Sequence, residues 1–227
     1  MKKLRFMAIT TIVYIAWLFF SYPDQTSVSL HIQQSFHEVV RDSTFPVMAA
    51  SNVPDASTDG SGATWITEPA VVIRFNDPQH GFILPPTTFA GISYSDYRVS
   101  TIDTSPMLKK LSFSDTLDLV ESLQRQFQTG GWLPDENQNW IDVSASGREA
   151  LHALLREHGH TIVLRVPRKY AMFFGLHCAD RCHSRIGLDR YLVDISIGRD
   201  FYADIGNEKP QPGSAAPTPS TAARSQR

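Results

Sequence analysis

The hydropathy pattern opens with fifteen uncharged residues, Phe6 to Phe20, directly after Lys2, Lys3 and Arg5. A helix over residues 4–22 is long enough to cross a bilayer when it tilts or when Arg5 snorkels to the headgroups. Beyond it, Val28, Ile32, Phe36, Val39 and Val40 recur at helical spacing and predict a juxtamembrane helix within residues 26–41. Val28, Leu30 and Ile32 also alternate as a strand would. From Trp65 to Asp103 the apolar residues fall into short runs, broken at Pro69, Pro78, Gly81, Pro85 and Pro86, which predicts strands and turns. The period changes at Ser114. A helix capped there buries Leu117, Val120, Leu123, Gln124 and Phe127 and ends at Gly130 and Gly131. A second helix starts at Ser146, where Ser146 and Glu149 have capping-box spacing, buries Ala150, Leu151, Leu154 and Leu155, and stops at Gly159. Three strands are then expected, from Thr161 to Val166, Tyr170 to His177 and Tyr191 to Ile197. This order predicts an α+β fold in which two or three helices pack on one face of an antiparallel sheet.

Composition divides the chain further. Residues 42–63 are rich in Ser, Asp, Gly, Pro and Ala with Phe45 as their one aromatic, and read as a flexible tether. Residues 207–227 hold Pro210, Pro212, Pro217 and Pro219 and no aliphatic larger than Ala, the composition of a disordered tail. The expected plan is therefore a signal-anchor over residues 1–25, the juxtamembrane helix, the tether, an α+β domain over 64–206 and the tail. With 42% apolar residues, that domain can bury a core.

The charges around the apolar run set its orientation. Ser21 to Val40 contains no Lys or Arg, so the short amino-terminal tail stays in the cytoplasm and the rest is exported. The residues after the run, Ser21 and Tyr22 among them, lack an A-x-A-like cleavage pattern, which favours an uncleaved anchor over a cleaved secretory signal. The expected location is the inner membrane, single-pass, with the domain in the periplasm or outside the cell. Taking Lys2, Lys3, Arg5 and Asp24 from the totals of 21 cations and 23 anions leaves 18 against 22, about −4 for the exported part. That balance argues against a nucleic-acid partner.

Candidate chemistry is sparse. Cys178 and Cys182, the only cysteines, lie in the segment His177-Cys178-Ala179-Asp180-Arg181-Cys182-His183. In an oxidising compartment they are expected to pair as a disulfide. Reduced, they would offer two thiolates beside the imidazoles of His177 and His183, a zinc donor set, although all four ligands within seven residues is tighter than the usual paired half-sites. Covalent haem attachment and redox-active pairs both use two intervening residues rather than three, so no cofactor is implied. A cationic run contains Arg165, Arg168, Lys169, Arg181 and Arg185, which would suit an acidic partner or headgroups. Trp132 and Trp140 flank a helix-to-helix connection, where they close the core or form a stacking platform for a glycan or peptide. The run Gly91 to Ser95 lacks the second glycine of a nucleophile elbow, and His152 and His158 are six apart and share no helix face. The expectation is a membrane-anchored, non-enzymatic accessory protein whose exported domain binds a protein partner in the cell envelope. An envelope enzyme or thiol/metal protein, or a glycan-binding module, stands as the alternative.

Overall fold

Alternation of buried and open positions dominates residues 26–54, 59–184, 186 and 188–201, which are those the computed structural model describes. Among them the strands are β1 (Ser27–Leu30), β2 (Gly62–Ile66), β3 (Val72–Phe75), β4 (Phe82–Ile83), β5 (Ala90–Ser95), β6 (Arg98–Thr104), β7 (Leu133–Pro134), β8 (His160–Val166), β9 (Tyr170–Asp180) and β10 (Arg190–Arg199). The helices are α1 (Phe36–Asp42), α2 (Phe113–Thr129) and α3 (Arg148–Glu157). Seven strands form one antiparallel sheet in the order β2-β5-β6-β10-β9-β8-β7. A small sheet, β1-β3-β4, contains a parallel pair, β1 with β3. The fold is α+β, with a large antiparallel sheet and three helices among the described residues.

The large sheet is one-sided because its strands alternate. Ile162, Leu164, Tyr170, Met172, Phe174, Val193 and Ile195 are buried, while the residues between them are not. The helices and the small sheet cover that inner face: Phe127 of α2 meets Phe174 edge-on at 5.5 Å, Phe36 of α1 meets Tyr94 at 5.1 Å, and Phe75 of β3 meets Tyr170 at 5.1 Å. The expected stripe of α2 is the buried one, but Ser112 rather than Ser114 caps it, accepting from the Asp115 amide at 3.2 Å. In α3 the capping box of Ser146 and Glu149 does not form. Gly147 holds the cap position without a side-chain bond, and only Leu151 and Leu155 of the expected stripe are buried.

The amino-terminal part departs most from the sequence expectation. Ser27–Leu30 is a strand because it pairs with β3, and the helix begins later, at Phe36, under a capping box of Ser35 and Glu38. In the segment expected as a tether, Phe45 and Val47 are buried in the core, the Ser51 and Thr64 hydroxyls are 2.6 Å apart, and Asn52 accepts from the Ala63 amide at 2.7 Å. Two apolar anchors thus dock residues 42–54 despite their polar composition. Among the described residues no helix is long and apolar enough to cross a membrane. The expected anchor, 4–22, and the expected tail, 207–227, lie outside the described residues.

Asp77 ties the small sheet to the large one. Its Oδ2 accepts from Tyr170 Oη at 2.8 Å and pairs with Lys169 Nζ at 2.7 Å, and its Oδ1 accepts from the amides of Gln79 and His80. Burial alone would raise this carboxyl, but those four donors outweigh it and hold the group well below the usual carboxylate range. Burial, reinforced by the Asp77 charge, pushes the Tyr170 phenol up.

Candidate functional site

Period two sends every second side chain of the large sheet outward, and pairing aligns these side chains in rows across the strands. One row runs Val163, Phe173, Ser196, Asp103, Gly91, Trp65. Neither helix nor small sheet covers this side, and its aromatics stand in solvent: Trp65 is 63% exposed, Phe89 60% and Phe173 53%. The aromatic rings rise above small neighbours. A Cβ on Gly91 would come within 3.2 Å of the Trp65 ring, so the indole lies directly over that glycine.

Between Phe89 and Phe173 lies a trough of about 290 Å³, lined by Asp103, Thr161, Gly175, His177, Asp194 and Ser196 among others. Asp194 is held from both sides, by His177 Nδ1 at 3.0 Å and by the Ser105 hydroxyl, which donates to its other oxygen. The order is hydroxyl, carboxylate, imidazole. With the carboxylate in the middle, the imidazole cannot take the serine proton, so the trio has the residues of a nucleophilic triad without its connectivity. What it supplies is a fixed carboxylate and an imidazole whose Nε2 has no partner among the described residues.

A second hollow of about 820 Å³ adjoins Phe173 on the β7 side, lined by Leu133, Arg165, Arg199, Asp200 and Phe201 among others. Arg165 holds Asp135 with two bonds, at 2.8 and 3.0 Å, and reaches Asp200 at 2.7 Å. The Arg165 bonds hold the Asp135 carboxyl below its usual range against the opposing effect of burial.

The expected cationic patch is therefore not one surface. Arg165 and Lys169 serve internal ion pairs, Arg168 and Arg181 are exposed at positive φ of 63° and 53° at the two ends of β9, and Arg185 lies outside the described residues. Trp132 is fully buried, donating from Nε1 to the His80 carbonyl at 3.0 Å, so it offers no ring face to a partner. Trp140 is half-buried against the core. Cys178 and Cys182 form a disulfide. It consumes the thiolates that the zinc alternative requires, and among the described residues no group of three metal-ligating side chains exists. His177 faces Asp194 instead, and His183 is exposed beyond the disulfide.

Sequence reasoning missed Trp65, Phe89, Phe173 and the His177–Asp194 pair. The signal for Phe173 was present: Met172 and Phe174 are consecutive inward positions, so the aromatic between them must point out. Comparison with protein-family models, with curated proteins and with solved structures finds no match to this chain.

Proposed function

We propose that this is a membrane-anchored, non-enzymatic accessory protein whose exported domain binds another cell-envelope component on the outer face of its large sheet. The single observation that carries the reading is the row of exposed aromatics on an uncovered sheet, Trp65 and Phe173 with Phe89 beside them. Three exposed aromatics share this one open face, each a flat apolar surface among small or polar neighbours, which suits a ligand that meets them at separate points. The charge-free run after Lys2, Lys3 and Arg5 supports the anchor, and the Asp-centred trio supports binding over nucleophilic chemistry. A component that lies flat on the sheet and presents apolar patches between polar edges matches the surface.

The test places a photoreactive amino acid at Phe173 in the full-length chain, in its native membrane. Irradiation is expected to give one defined adduct with an envelope component, lost when the photoreactive residue stands instead at Met48, which is equally exposed but off the sheet. Equal labelling at both positions, or none at Phe173, overturns the proposal.

A further inference from the structure

The trough between Phe89 and Phe173 has the chemistry of a sugar site. A pyranose ring is apolar on its C–H faces and ringed by hydroxyls at its edge, so a site for it needs a flat aromatic surface with acceptors around it. Phe89 and Phe173 provide the first at the two rims, both more than half exposed. Asp103 and Asp194 provide the second, and carboxylates accept hydroxyl protons in short, charge-assisted bonds. Ser105 and His177 fix the Asp194 carboxylate in place, which removes ordering cost at the moment of binding. Between the aromatics the lining is of small groups, Gly175 with the Thr161 hydroxyl against it and Ser196.

We infer that this trough is the subsite for one ring of an uncharged glycan strand, and that the strand continues along the pairing row toward Trp65. The inference rests on the outer face being the binding surface, as proposed above, and names the class of ligand. Trp65 stands four strands from Phe173 along the row, and its indole leans back over Gly91, three strands away, which is roughly 14 Å at the usual strand spacing. A second stacking platform at that distance suits an extended polymer better than a single sugar. Two features favour a glycan over a protein partner. The apolar groups are separated by Asp103 and Ser196, whereas the buried centre of a protein interface is depleted of charge. Two carboxylates in the trough would repel a polyanionic strand, which fits a strand of uncharged sugars, N-acetylated ones included.

The experiment titrates the full-length chain in detergent with N-acetylglucosamine and glucose oligomers of increasing length, following tryptophan fluorescence and calorimetric heat. Saturable binding that tightens with length is expected. Phe173→Ala and Trp65→Ala should each weaken it about fivefold to tenfold, as loss of a stacking contact does. Asp103→Asn, exposed and isosteric, should weaken it comparably with an unchanged unfolding midpoint, so the site is tested even if an aromatic variant folds poorly. Equal binding of a sulfated glycan overturns the assignment to uncharged sugars. No glycan binding together with a protein adduct at Phe173 overturns the ligand class and leaves the surface standing. Failure of both overturns the surface as well, as does a dimer that Phe173→Ala converts to monomer.

Discussion

Asp77 shows how one side chain can hold two sheets together. Its carboxylate takes two amides from the turn that follows it and an ammonium and a phenol from Lys169 and Tyr170 where β9 begins, and only the ionised form satisfies them. Asp77→Asn is expected to cost about 2–3 kcal/mol at neutral pH, as loss of bonds to a charged group does, and urea unfolding measures it. The pH dependence follows from the lowered carboxyl. Its contribution is complete above the unfolded value near pH 4 and fades as pH falls through the lower folded value, so variant and parent should converge in acid. Tyr94 and Tyr170 act at the other end of the scale. Burial pushes the Tyr94 phenol up to about 12 and Tyr170 higher still. Their contribution is complete below the unfolded value near pH 10 and is lost above the folded ones.

At the scale of elements, α2 does more than cover the sheet. Its buried Gln124 donates to the Ile141 carbonyl at 3.1 Å and accepts from the Ile141 amide at 2.8 Å, so the helix clasps the loop before α3 as a strand would. Gln124→Leu leaves both backbone groups buried and unpaired and should cost about 3 kcal/mol by thermal or chemical unfolding, while Gln128→Leu on the exposed side should be near neutral. The sequence carried most of α2, because a period near 3.6 is a local signal that Leu117, Val120, Leu123 and Phe127 repeat. It carried β8, β9 and β10 for the same reason at period two. It did not carry β1, since Ser27–Leu30 is a strand only through β3, more than forty residues later, and local spacing there fits a helix equally well. The outer face was hidden in another way. Trp65 looks like a core residue until its pairing with Gly91 shows which side of the sheet it occupies, and Phe89, just before β5, until its exposure does.

For the whole molecule, the proposed arrangement makes a prediction about sidedness. A reporter fused after Arg227 that works only outside the cytoplasm is expected to be active, and activity of a cytoplasm-dependent reporter instead would place the domain on the wrong side. The same experiment bears on the disulfide, which persists in an oxidising compartment and closes a five-residue loop worth about 2 kcal/mol in the chain-entropy model.

The parallel pairing of β1 with β3 has a mechanical consequence. If residues 4–22 are held in a bilayer, as proposed, only residues 23–26 separate the lipid from the first hydrogen-bonded strand, a reach of at most ~14 Å. The domain would then ride close to the membrane surface, moored by a strand that is knitted into its own fold. A pull carried from a ligand on the outer face to the anchor along β1 would shear the β1–β3 bonds, with little slack to absorb it.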